Sequence, residues 1–333
     1  MTIKSKLLGT LAALSFLSGV QASNAADELT VAYFLEWPMP FQYAKATGMY
    51  DEALGIPVTW VSFDTGTAMS AAMASGDVQI AVSQGIPPFV VATSAGQDLI
   101  LADVAVSYSE NDNCVVAETL EIEKNNAKEL EGKKVGVPIG TAAHFGFLEQ
   151  MKHFGVDIST LEIVDMAPAD GAAAFAQGNL DMVCGWGGAL RRMKEHGNVL
   201  LTGAEKEELG ILVFDGISAP ADFASEEGEL LTKFLKVTAD ANAMWNAGDK
   251  KAEMLEVIAK DAGMDPADAE ASLDTFSFPS VDEALSDKWM GGNVQTFMLG
   301  VAKVFQDAGS IPQALDTYVD TVDPSYLAAT KSQ

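Results

Sequence analysis

The 333-residue chain carries 47 Asp and Glu against 20 Lys and Arg, a formal net charge of −27. That balance excludes nucleic acid, whose phosphates require clustered Lys and Arg, and equally a surface that docks on anionic lipid. A hydrophobic fraction of 48% over this length is that of a globular protein large enough for two domains.

Residues 1–26 place Lys4 and Lys6 before the run LLGTLAALSFLSGV (7–20) and the small-residue stretch QASNAA. A basic start, a short apolar run and alanines at Ala22, Ala25 and Ala26 describe a secretory signal peptide. The run is shorter than the roughly 20 apolar residues a membrane span needs, and no later stretch reaches that length without a charge or a turn signal. An exported, periplasmic protein that is not itself membrane-embedded is expected.

One segment then recurs. TAMSAAMASGDVQIAV (67–82) matches ADGAAAFAQGNLDMVC (169–184), aligning Gly76 with Gly178. Each copy reads as a small-residue helix stopped by a left-handed glycine, then a turn and a short apolar strand. Upstream, LTVAYF (29–34) and a helix ending at Gly48 correspond to KKVGVP (133–138) and a helix ending at Gly155. VTWVSF (58–63) corresponds to LEIVDM (161–166). Residues 27–92 and 133–196 are therefore each predicted as β-α-β-α-β, which implies two α/β lobes of like build. The apolar strands of 99–122 and 211–224 read as two crossings between them. The remainder, 225–333, reads as helical. Asp265 is a predicted N-cap with Pro266 at the first helical position, and 286–309 reads as a further helix after a Gly-Gly start.

Cys114 and Cys184 are the only cysteines. They are read either as two small buried hydrophobes on neighbouring strands or as a bridge between those strands, and they form no metal signature. His144, His153 and His196 are scattered, with no spacing that suggests a metal site or a hydrolase. No cofactor, metal or catalytic set is expected.

In parallel sheets, ligands bind beyond the carboxyl ends of the strands, where helix N-termini present free N–H groups. The loops there are 35–40, 64–67 and 83–88 in the first unit, and 139–144, 168–171 and 185–188 in the second. Glu36, at a strand-to-helix junction, and Asp215, on the second crossing, are the candidate partners for an ammonium. Trp37, held between prolines, and Trp186 are candidate walls of the cleft. Trp60, Trp245 and Trp289 read as core or helix-packing residues.

At these loops the sequence resembles the substrate-binding components of periplasmic taurine ABC importers, within the nitrate/sulfonate/taurine-binding group. The resemblance covers nearly the whole mature chain. It rests on VAYFLEWPMPFQYAKATGMYDE, VSFDTGTAMSAAMASGDVQIAVSQGIPP, KKVGVPIGTAAHFGFLEQMKHFGVD and LDMVCGWGGALRRM. It implies an α/β type II periplasmic binding protein of two lobes, each a parallel-rich sheet with helices on both faces and a ligand cleft between. Residues 27–110 and 217–333 would form one lobe and 111–216 the other. The implied role is capture of taurine, or a related small zwitterion, by a monomer that delivers it to an ABC permease. The motif departs from the group in one place: Gly187 and Gly188 follow Trp186 where the group commonly has Trp-x-Pro.

On that reading the sulfonate requires donors only, from the helix start at Thr141 and Ala142 and from Ser83, Gln84 and His144. The ammonium requires acceptors, Asp215 and Glu36. An alkanesulfonate, a nitrate-like anion, a thiamin precursor or a betaine boxed by Trp37 and Trp186 are the competing ligands, and an exported enzyme on the same frame is the competing class.

Overall fold

The computed structural model describes residues 28–332, so the expected signal peptide lies outside the described residues. The first unit supplies strands β1 (Leu29–Tyr33), β2 (Val58–Ser62), β3 (Ile80–Gly85) and β4 (Leu99–Ser107). After one crossing come β5 (Asp112–Ala117), β6 (Lys134–Val137), β7 (Glu162–Asp165), β8 (Met182–Trp186) and β9 (Gly197–Val199), and the chain then returns as β10 (Phe214–Pro220). Two five-stranded sheets result, ordered β2-β1-β3-β10-β4 and β7-β6-β8-β5-β9.

Both sheets are built alike. The first strand of each β-α-β-α-β unit sits between the other two in parallel register, and the crossing strand then adds antiparallel: β10 to β3 and β4, β5 to β8 and β9. Each sheet is thus mixed, because a strand that enters from the other half of the molecule arrives pointing the opposite way. Phe214, Asp215 and Gly216 pair with β4 and lie in the first sheet.

The repeat is visible in the backbone. Gly76 and Gly178 follow helices Gly66–Ala74 and Pro168–Ala176 with φ of 82° and 74°. Such values suit glycine alone without strain, so both helices stop where the sequence places the stop.

The C-terminal helices return to the first lobe. Helix Gly228–Ala247 packs on the short helix Met49–Leu54, stacking Phe234 on Tyr50 at 4.7 Å while Tyr50 shares a hydrogen bond with Thr238 at 2.8 Å. Trp60 packs among Phe41, Tyr50 and Phe234, and Trp289 packs against Phe214. Helix Pro266–Leu273 begins after Asp265 as predicted, although the Asp265 side chain makes no capping bond. The helix predicted within 286–309 after a Gly-Gly start runs Asn293–Asp307, directly after Gly291 and Gly292, which stand in turns. It reaches the second lobe, laying Phe305 on His144 at 5.2 Å and Phe297 on Phe145 at 5.6 Å. One buried apolar cluster consequently runs through both halves, and a smaller one, including Phe175, Val183, Leu190 and Met193, belongs to the second alone.

Cys114 and Cys184 stand opposite each other in the β5–β8 register and are joined as a disulfide. The bridge encloses the strands and helices of the second repeat, so its loss frees a long loop in the unfolded chain and is expected to cost about 2–5 kcal/mol. Unfolding the unreduced protein should release no reactive thiol, and reduction should lower the free energy of unfolding. Two titratable thiols before reduction would contradict the bridge.

Candidate functional site

Four helix N-termini converge between the sheets. Gly66 opens helix Gly66–Ala74, Gly85 precedes Ile86–Ser94, Thr141 precedes Ala142–Phe154, and Trp186 precedes Gly187–Lys194. With Phe34, Trp37, Pro88, Tyr108, Asp112, Ala142 and Asp215 they line a small cavity. Thr65 and Thr141 cap their helices through their side-chain oxygens, which accept from the N–H groups of Ala68 and His144. The amides of Gly66, Thr67, Ala142 and Ala143 precede any intrahelical acceptor and find none elsewhere among the described residues. One pair comes from each lobe. Together with the helix dipoles they form a donor surface suited to an anion.

The opposite character is concentrated at Asp215, which is 2% exposed. Its Oδ2 accepts from Ser83 Oγ at 2.6 Å, and its Oδ1 accepts from the Tyr108 hydroxyl. Ser83 Oγ in turn accepts from the Trp37 indole N–H at 2.8 Å. Ser83 adopts φ of 64°, a conformation unfavourable for a residue with a Cβ; the bonds on both sides of its hydroxyl hold it there. Burial pushes the Asp215 carboxyl up to about 7, against the lowering effect of its Ser83 and Tyr108 bonds. Trp37 meets Tyr108 edge to face and Phe276 obliquely, each at 4.6 Å, while Phe34 meets Trp186 at 6.0 Å. The carboxylate therefore sits in an aromatic enclosure.

Of the residues singled out in the sequence, Trp37, Thr141, Ala142, Trp186 and Asp215 line this cavity. Four are placed otherwise. The Glu36 carboxylate lies on Arg192 of helix Gly187–Lys194, with both oxygens accepting from Nη1 at 2.9 and 3.0 Å; it joins the lobes at the cleft mouth and is not an acceptor beside Asp215. Ser83 stands behind Asp215 with its hydroxyl already engaged. Gln84 donates to the Gly66 carbonyl and Ser70 Oγ and accepts from Ser218 Oγ, which occupies its amide within the first lobe. His144 Nδ1 accepts from the Gly140 N–H at 3.2 Å, and burial lowers its pKa to about 4, so the ring is neutral and supports the 139–144 loop. Gly66, Gly85 and Pro88 lie in the loops 64–67 and 83–88 that the sequence marks, whereas Phe34, Tyr108 and Asp112 were not singled out. The short polar break between β4 and β5 that carries Asp112 was the available signal for it.

The lobes touch across the cleft. Gly187 has φ of 56°, and a Cβ there would stand 2.7 Å from the Glu36 carbonyl oxygen; one on Gly188 would stand 2.7 Å from Glu36 Oε2. The two glycines after Trp186 therefore let the Glu36 loop seat against the second lobe. Arg191 adds a second ion pair between the halves, to Asp268 at 2.7 Å.

These features define a two-lobed binding-protein fold with its cleft at the helix ends. Residues 38–252 match the family model described as NMT1/THI5 like, and the chain belongs to that family. It is 26% identical to the taurine-binding periplasmic protein of Escherichia coli (strain K12), over 95% of this chain and 97% of that protein. It is 24% identical to a putative aliphatic sulfonates-binding protein of the same strain, over 98% and 97%. The alkanesulfonate-binding protein of Xanthomonas axonopodis pv. citri, solved bound to MOPS, shares the fold with a TM-score of 0.74 at 19% identity, over 90% of this chain and 99% of that one.

Asp215 links the site to stability. Its folded pKa lies above that of an unfolded aspartate, so its contribution is fully present below about pH 4 and is lost as pH rises through about 7. Asp215→Asn, which keeps the shape without the charge, should therefore gain melting temperature relative to the ligand-free wild type between pH 4 and pH 8. A difference that does not change with pH would show that Asp215 is ionised at no cost.

Proposed function

We propose that the protein captures taurine in the periplasm and delivers it to an ABC permease. The observation that carries this reading is a buried carboxylate, Asp215, set in an aromatic enclosure beside two facing helix N-termini. A sulfonate is ionised at all biological pH values and only accepts hydrogen bonds, which suits the amides of Gly66, Thr67, Ala142 and Ala143. An ammonium two carbons away suits Asp215, whose burial makes it a poor carboxylate until a cation arrives. The anion contacts come from both lobes, so a bound ligand favours the closed arrangement, with the segments between β4 and β5 and before β10 as the proposed hinges. We place the lobe division there.

The chain's strong negative charge repels an anion at long range, so affinity rests on the local dipoles. The named relatives are binding proteins for taurine and aliphatic sulfonates, which supports capture and release without turnover. An alkanesulfonate without an amine would leave Asp215 buried and unpaired by any cation, which favours the aminosulfonate.

Calorimetry should find taurine binding at least tenfold more tightly than ethanesulfonate, and Asp215→Ala should weaken taurine by roughly 2–5 kcal/mol. Equal affinity for the two sulfonates would remove the ammonium contact and the aminosulfonate reading with it.

A further inference from the structure

Asp112, the first residue of β5, opposes Trp186 in the second sheet and lines the same cavity as Asp215. It is 1% exposed, and its Oδ2 is buried without a hydrogen-bond partner. A buried carboxylate oxygen left unsatisfied costs free energy, so a position that keeps one beside a cleft calls for a donor from outside the chain. The groups around it are known. Behind it the buried ammonium of Lys206, on helix Gly203–Glu208, donates to the Asp112 carbonyl oxygen and offsets the carboxylate's charge. On one side stands Gly146 of helix Ala142–Phe154, where a Cβ would lie 3.9 Å from Oδ1. Across the cavity stand Asp215, from β10, and Tyr108, whose hydroxyl is already committed to Asp215; the Asp112 charge acts on both. Glu110 acts on Lys206 from the same crossing, and Lys194 and Glu207 act on it from their helices.

We propose that Asp112 is a second acceptor for the ligand's ammonium, so that the cationic end is held between one carboxylate from each sheet and the site selects a primary ammonium. This rests on the aminosulfonate reading above and deepens it. A primary ammonium carries three N–H donors. Asp215 has both oxygens already accepting one bond each and retains limited capacity, whereas Asp112 Oδ2 is free. With the ligand bound, two carboxylates face two ammonium groups, the ligand's and that of Lys206, and the buried charges balance. The cation becomes a tie between the lobes alongside the sulfonate. An N-methylated ammonium loses a donor with each methyl group, and a trimethylammonium can satisfy neither carboxylate, however well it suits the aromatic walls. Burial raises the Asp112 carboxyl to about 6, as expected of a site waiting for a cation.

The test is calorimetry on the full chain with taurine, its N-methyl, N,N-dimethyl and N,N,N-trimethyl derivatives, and ethanesulfonate. In the wild type, affinity should fall stepwise with methylation, by at least a hundredfold at the trimethyl compound. In Asp112→Asn the ratio of taurine to ethanesulfonate affinity should fall at least tenfold; the methylation series needs no variant and stands if Asp112→Asn does not fold. Wild-type protein that binds taurine tightly but tolerates full methylation, or an Asp112→Asn variant that keeps the wild-type ratio, would overturn the role of Asp112 and leave the aminosulfonate reading intact. Failure of the wild type to prefer taurine over ethanesulfonate would overturn both.

Discussion

The site depends on keeping a carboxylate where water cannot solvate it. Asp215 is enclosed by Trp37, Tyr108 and the ends of β3 and β10, and two hydroxyl-bearing side chains hold it in place without neutralising it. Such a group is costly to ionise alone and favourable to ionise beside a cation. On the proposed reading, the cost of burying the carboxylate is returned when an ammonium enters, which turns a burial penalty into selectivity for the charge of one end of the ligand. For the anionic end of the proposed ligand the fold offers the opposite means, backbone amides and helix dipoles that carry no net charge and need no counter-ion.

The helix N-termini at the cavity come from both lobes, and the structure shows how closely the lobes fit. The left-handed Ser83 and Glu36 sit on the first lobe's side of the cleft, and the glycines after Trp186 on the other. Local strain on one side meets missing side chains on the other, so the Glu36 loop and the start of helix Gly187–Lys194 come together at backbone distance. The consecutive arginines Arg191 and Arg192 then reach from the second lobe to Asp268 and Glu36 of the first. These ion pairs are partly exposed and each is worth little by itself; their placement at the mouth makes them a guide for how the halves meet.

The fold was readable because its signals are local. A helix that stops at Gly76 or Gly178 announces itself through glycine's access to positive φ, and repetition of strand, helix and glycine order gave two similar units without any knowledge of their contacts. The helix within 286–309 starts at Asn293, directly after the Gly-Gly pair that the sequence marks as its start. The site was readable only where position along the chain determines position in space. Asp215, Trp37 and Trp186 lie at strand ends or crossings and reach the cavity. Glu36 occupies an equivalent place, yet its partner Arg192 lies far along the chain, and no spacing rule reveals an ion pair formed between lobes. Asp112 was missed for the same reason: its significance lies in an empty acceptor and in Lys206 behind it, both products of tertiary packing. Ser83 and Gln84 lie at the end of β3, and their hydrogen bonds are used by the protein itself.

The central claim is an orientation, with the ammonium at the buried carboxylate and the sulfonate at the helix ends. A crystal structure of the taurine complex tests it most directly. The account requires the taurine nitrogen within hydrogen-bonding distance of Asp215 and the sulfonate oxygens on the amides at Gly66–Thr67 and Ala142–Ala143. Taurine bound the other way round, or lodged outside the cleft among the C-terminal helices, would contradict it.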